Sequence, residues 1–120
     1  MGLVDRIRNE NRERVFKELL GKKYSELKNF DILYNTMEEF LLIDLKRLVI
    51  EGNINKAEDT LFSYIEKNKD INVMFIAGEF YTMLMDMSDE ELKKNDFSRD
   101  EINAGLEEIR KIFNAKILTL

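Results

Sequence analysis

Carboxylates are the side chains of this 120-residue chain that could perform catalysis, because the sequence contains no histidine and no cysteine. A Ser-His-Asp triad, a cysteine nucleophile and a zinc site built on thiolate or imidazole are therefore excluded. The candidate acids are Glu38, Glu39 and Asp44 in one predicted helix and Glu79 and Asp86 in another. Their spacing gives no clean pair of acidic motifs on two inward faces. We predict no catalytic residue, metal site or cofactor, and keep a carboxylate- and Mg²⁺-dependent enzyme, such as a hydrolase, as an alternative.

Asp44 departs from the pattern around it, because it falls at the edge of an apolar stripe between Phe40, Leu41 and Leu48. A buried charge is costly unless it is paired. Asp44 is therefore predicted either to form an ion pair with a neighbour at the rim or to face a ligand as an acid in a groove.

Basic residues are concentrated at the start of an otherwise acidic chain. Residues 1–28 hold eight Lys or Arg and five Asp or Glu, whereas the net charge of the whole chain is −5. Acidic residues interrupt the basic ones at ion-pair spacing, as in Glu10–Arg14 and Glu13–Lys17. We predict a basic N-terminal helix or arm over residues 1–28, either docked or loose, and a helical domain over residues 29–120 that folds without residues 1–20. Nucleic-acid binding is unlikely on this charge balance, but an accessory protein that contacts nucleic acid or a membrane surface through the basic N-terminal helix is an alternative.

Helix-forming residues dominate the chain, which has no proline and no persistent alternation of apolar and polar residues. The fold class predicted is all-α, an array of about five helices with a central antiparallel helical hairpin and no sheet. The predicted segments are residues 3–20, 30–51, 54–68, 73–87, a short helix over 88–94, and 98–117.

Capping signals define several of these boundaries. Ser88 with Glu91, and Ser98 with Glu101, have the spacing of capping boxes. Gly52 stands where a left-handed helix end is needed, and only a few residues separate the helices on either side of it, which predicts the hairpin. Asn72 is the predicted cap of the helix over residues 73–87.

The helix over residues 30–51 has two apolar stripes. The main one is predicted to face inward and comprises Phe30, Leu33, Tyr34, Met37, Phe40, Leu41, Leu45 and Leu48. Ile32, Ile43 and Ile50 lie opposite, and Phe75 stands within the narrow polar strip of a later helix. We predict these four residues as a homodimer interface. The competing prediction lays the first helix across Ile32, Ile43 and Ile50 and completes a monomer.

Two resemblances arise from longer stretches. The segment Leu48–Asp70, LVIEGNINKAEDTLFSYIEKNKD, resembles the turn and second helix of a tetratricopeptide hairpin, with Ala57 at the close-packing position. The stretch Asn29–Phe113 is similar to a family of small, uncharacterised all-helical bacterial proteins, in which a Met-Ser-Asp-Glu-Glu-Leu turn precedes a final long helix. The first resemblance implies binding of a peptide or protein in a helical groove; the second implies no activity.

The function predicted from these observations is a non-enzymatic helical protein-interaction module. Its partner is a protein or peptide, and a second copy of the chain is the candidate that the two stripes suggest. No apolar run approaches the roughly 20 residues that cross a bilayer, and no signal peptide is visible, so a cytoplasmic location without a membrane span is expected.

Overall fold

The computed structural model describes residues 3–21 and 33–118. These residues form six helices and no strand: α1 (Leu3–Leu20), α2 (Thr36–Ile50), α3 (Ile54–Lys67), α4 (Ile71–Met85), α5 (Asp89–Lys94) and α6 (Arg99–Leu118). The predicted all-α class is confirmed. Five of the predicted helices, α1, α3, α4, α5 and α6, match within two residues at each end.

The α2–α3 hairpin turns at the predicted glycine. Gly52 has a φ of +84°, a conformation that glycine adopts without a Cβ penalty. Its N–H donates to the carbonyl of Val49 at 3.0 Å, and the N–H of Asn53 donates to that of Leu48 at 2.8 Å. These two bonds form a Schellman motif, which satisfies the last carbonyls of α2 and reverses the chain.

Helix α4 is the centre of the molecule. It packs against α1, α2 and α6, and ten of its fifteen residues are buried. Hydrogen bonds within α4 satisfy the polar groups of its backbone. The helix can therefore carry apolar side chains on most of its sides and still be buried. A helix that is apolar around most of its circumference needs neighbours on several sides, and the other three helices supply them.

Helix α1 is docked on α4 and α6, which is one of the two predicted alternatives. Val15, Phe16 and Leu19 are buried. Phe16 lies directly over Gly78 of α4, where a Cβ would approach the ring to 2.5 Å. A glycine in α4 thus makes room for the aromatic ring of α1. The predicted division between residues 28 and 29 lies outside the described residues.

Two predicted helix starts are wrong. Helix α2 begins at Thr36, because Asn35 and Glu38 form a capping box there that the sequence analysis overlooked. Helix α4 begins at Ile71 because Asp70, and not Asn72, accepts from the N–H of Val73 at 3.2 Å. The predicted start of α2 at Phe30 falls outside the described residues.

The predicted boundary at Ser88 is confirmed, with both halves of its capping box present. At Ser98 the structure shows the hydroxyl accepting from the N–H of Glu101 at 3.2 Å. Directly after the Ser98 cap, Arg99 donates to the main-chain carbonyls of Met85 and Met87 and to the Asp89 carboxylate. One guanidinium therefore satisfies the end of α4 and joins it to the starts of α5 and α6.

Candidate functional site: the outward face of α2

Helix α2 is apolar on two sides, and the structure buries only one of them. Leu41, Leu45 and Leu48 pack into the core between α3 and α4. The outward side carries four large apolar side chains that we call the α2 ridge: Met37, Phe40, Ile43 and Ile50, which are 64%, 58%, 59% and 85% exposed.

The predicted inward stripe is therefore wrong at three of its positions. Leu33 precedes the helix and is 85% exposed, and Met37 and Phe40 belong to the ridge. At 100° per residue, Phe40 lies about 100° around the helix from the line through Leu41, Leu45 and Leu48. That angle carries it beyond the reach of α3 and α4.

Of the four predicted interface residues, Ile43 and Ile50 are exposed on the ridge. Phe75 is a correction, because it is 6% exposed and its ring lies 5.5 Å from that of Phe16 in the core. The docking of α1 buries it, so it offers no surface to a partner. Ile32 lies outside the described residues. Helix α1 packs on α4 and α6 while Ile43 and Ile50 stay exposed, so the competing prediction of α1 lying across them is wrong at these two positions.

Charged side chains flank the ridge. Asp44 lies 3.7 Å from Arg47, and Arg47 lies 2.9 Å from Glu51, all on the solvent side of α2. The Asp44 side chain is 56% exposed. The contact with Arg47 is the ion pair of the first predicted role.

Glu38 is a buried acid with a structural role. Its Oε1 accepts from the N–H of Asn35 at 2.8 Å and from Nδ2 of Asn72 at 3.0 Å. Asn72 also donates to the carbonyl of Leu33 at 3.1 Å. These bonds tie the approach to α2 to the first turn of α4 and fix the orientation of the ridge. The Asn35-x-x-Glu38 spacing could have indicated this capping role of Glu38 from the sequence.

Glu58 and Tyr81 form a second polar contact in the interior that sequence analysis missed. The Tyr81 hydroxyl donates to Oε2 of Glu58 at 2.7 Å, beneath Gly105 of α6. Burial raises the pKa of Glu58, and so does repulsion from Glu101 and Asp59, while the bond from Tyr81 opposes them. Burial and the neighbouring Glu58 carboxylate also raise the pKa of Tyr81. The pair joins α3 to α4.

Two further candidate carboxylates, Glu79 and Asp86, serve packing, whereas Glu39 is exposed on α2. Oε2 of Glu79 lies 3.3 Å from the Arg12 guanidinium, and Asp86 accepts from Asn11 at 2.9 Å, so both attach α4 to α1. In the described part of the chain, no three acidic side chains converge on a point that could hold a metal ion. No helix in the same residues has the length and apolar character needed to cross a bilayer.

An open cleft of about 420 Å³ lies where α1 passes the end of α4. Most of its polar groups make structural hydrogen bonds: Asn11 bonds to Asp86, and Arg99 bonds to the main chain at the end of α4. A ligand site needs convergent polar groups directed at the ligand. The cleft therefore ranks below the ridge as a candidate site.

The sequence profile of a family of unknown function (DUF6483) matches residues 3–114. The chain belongs to this family. Its membership confirms the expected small, uncharacterised helical protein, while bacterial origin and the tetratricopeptide resemblance stay predictions. No curated protein and no solved structure matches the chain.

Proposed function

We propose that the protein is a non-enzymatic helical interaction module that binds protein through the α2 ridge, and that its partner is a second copy of the chain. The ridge is the observation that supports this proposal. Most large apolar side chains of α3, α4 and α6 are buried, whereas α2 leaves Met37, Phe40, Ile43 and Ile50 in solvent along its length. We place this activity in the cytoplasm.

The pattern of exposure favours a binding surface over chance. Single exposed apolar residues are common on soluble proteins and need no explanation. Here Phe40, Ile43 and Ile50 lie within about 80° of one another around α2 and Met37 adjoins Phe40, and the four side chains together expose roughly 400–500 Å², in the size range where surface patches are often functional. Two such patches in contact would remove about 1,000 Å² from water, which is near the lower limit for a specific interface. We therefore expect a weak, reversible dimer.

The basic α1 gives less support to binding of nucleic acid or an anionic membrane. Its arginines alternate with acids: Arg6 lies 3.9 Å from Glu10, and Arg12 lies 3.3 Å from Glu79. At the other end of α1, Glu18 lies 4.0 Å from Arg110. These ion pairs reduce the positive charge available to phosphate groups, and the buried face of α1 is already used for docking.

Sedimentation velocity over a concentration series tests the proposal. The wild-type chain is expected to show a weight-average mass that rises towards that of a dimer as the concentration increases from about 10 to several hundred micromolar, the range expected of a small interface. Ile43→Glu is expected to sediment as a folded monomer throughout, because a charge at the centre of the ridge would be buried in the dimer.

Ile71→Glu is the matched control. Ile71 is also an exposed isoleucine, 44% accessible, but it lies at the start of α4 and not on the ridge. It is expected to leave self-association unchanged. A wild-type chain that stays monomeric at every concentration would refute the proposal, as would equal weakening by both substitutions.

A further inference from the structure

We infer that two copies pair through their α2 ridges in antiparallel orientation, with Phe40 of each copy against Ile43 of the other. This inference rests on the proposed function and names the geometry of its site. It follows from the order of apolar and charged residues along the exposed side of α2.

The exposed side of α2 has the spacing of a coiled-coil seam. Phe40 and Ile43 are three residues apart, and Arg47 and Ile50 repeat that spacing seven residues later. In heptad positions, Phe40 and Arg47 occupy a; Ile43 and Ile50 occupy d; Glu39 and Lys46 occupy g; and Met37, Asp44 and Glu51 occupy e. Thr36 occupies the d position before Phe40.

In antiparallel pairing, the g positions of one α2 helix lie beside the g positions of the other, and the e positions lie beside the e positions. With the two-fold axis between Leu41 and Leu42, Phe40 and Ile43 from both copies form a central apolar layer. Glu39 of each copy then lies beside Lys46 of the other, so the g flank is complementary to itself. On the e flank, Asp44 lies opposite the apolar Met37 of the second copy and not opposite another acid.

Parallel pairing would be less favourable. It would bring the two Arg47 guanidinium groups together in the seam and place Glu39 of each copy beside Asp44 of the other. One attractive contact, Lys46 with Glu51, would offset part of this repulsion. Because Arg47 already pairs with Asp44 and Glu51 of its own helix, contact between two Arg47 side chains would also require those ion pairs to rearrange.

Because the chain contains no cysteine, disulfides can form only between cysteines that are introduced. Disulfide cross-linking can therefore test the relative orientation of the two α2 helices. Thr36→Cys and Arg47→Cys change two exposed positions that the antiparallel register places opposite each other. A mixture of the two variants is expected to form the mixed disulfide under mild oxidation, and each variant alone is expected to form little. In the antiparallel dimer, Thr36 of one copy lies opposite Arg47 of the other, which is eleven positions along the helix. The two Thr36 positions are therefore about 16 Å apart along the axis, which exceeds the reach of a disulfide.

A charge exchange gives a second, independent measurement. Glu39→Lys and Lys46→Glu are each expected to weaken the dimer roughly tenfold in sedimentation, since each turns two attractive contacts into repulsive ones, and the double variant is expected to restore the wild-type affinity. Glu66→Lys, an exposed position on α3, makes the same charge change away from the ridge and is expected to have no such effect.

The outcomes separate the orientation from the proposed function. A wild-type dimer in which Thr36→Cys chains cross-link to one another would refute antiparallel pairing and leave self-association through the ridge intact. A dimer that gives no cross-link in any of the three samples, or in which the double charge variant stays weak, would also refute the inference. A wild-type chain that sediments as a monomer would remove both proposals.

Discussion

At the scale of single residues, four of the described acids make structural contacts. Glu38 caps a helix, Glu79 and Asp86 attach α1 to α4, and Glu58 accepts from Tyr81. Among the described acids, Glu58 combines partial burial with acidic neighbours, Glu101 and Asp59, so that its carboxylate is poorly stabilised. The contact between Glu58 and Tyr81 is not visible in the linear sequence, because the two residues lie in different helices, whereas the capping box of Glu38 could have been read from its spacing to Asn35.

The raised pKa of Glu58 predicts how stability depends on pH. Because the folded-state pKa lies above the unfolded value near 4.5, the folded chain holds this proton more tightly, and the stabilising effect is present at low pH. The contribution is lost as the pH rises through the folded pKa. Glu58→Gln keeps an acceptor for the Tyr81 hydroxyl and removes the ionisation. Relative to wild type, we expect its unfolding free energy to increase between about pH 4.5 and pH 7 in urea titrations.

Glu66→Gln provides the control for this measurement, since Glu66 is an exposed glutamate of the same helix. The unfolding free energy of this variant, relative to wild type, is expected to change little with pH. If Glu58→Gln and Glu66→Gln followed the same pH dependence, the raised pKa of Glu58 would be contradicted.

At the scale of helices, the Ser88 cap and the Gly52 turn were predictable, and the side of α2 that is buried was not. The Ser88 capping box and the Gly52 turn follow from a few adjacent residues, and both appear where the sequence placed them. The inward side of α2 depends on where α3 and α4 lie. With two apolar stripes on one helix, periodicity alone cannot decide which is buried. The ridge residues Met37 and Phe40 were assigned to the core for this reason.

The turn between α5 and α6 offers a test of backbone conformation. Asp96 has a φ of +57°, and the N–H of Phe97 bonds to the carbonyl of Leu92, so Asp96 occupies the position that Gly52 occupies in the α2–α3 turn. The left-handed conformation costs about 1–2 kcal/mol for a residue with a Cβ, and less for Asp. An acid is also unfavourable at the negative end of a helix.

Asp96→Gly is therefore expected to stabilise the chain by about 0.5–1 kcal/mol, and Asp96→Ala is expected to destabilise it. The order of urea midpoints should be glycine, then wild type, then alanine. The hydrogen bond from Asn55 reaches the main-chain carbonyl of residue 96, so all three chains retain it. A midpoint for the alanine variant at or above that of wild type would contradict the strain at this position.

At the scale of the whole molecule, the place of α1 could not be deduced from its own residues. Its apolar positions drift around the helix, which left docking open, and Phe16 was not recognised as a core residue. Its burial depends on Gly78, which lies 62 residues away in the sequence and provides a gap in the surface of α4. Such a fit between distant residues is a property of the folded chain, whereas helical periodicity is a property of each segment.

Deletion of residues 1–20 tests whether the rest of the chain folds without α1. Because α1 is docked, we reverse the expectation that residues 29–120 fold alone. Removing Val15, Phe16 and Leu19 uncovers Phe75 and Gly78. Full burial of each large apolar side chain contributes about 1.5–3 kcal/mol, so the loss approaches the 5–15 kcal/mol that stabilises a typical domain. We expect the truncated chain to lose its cooperative thermal transition in circular dichroism. Phe16→Ala should keep the transition and lower stability by about 3–5 kcal/mol, because Gly78 leaves the space empty. A cooperative transition in the truncated chain at the wild-type temperature would instead show that α1 is an accessory arm.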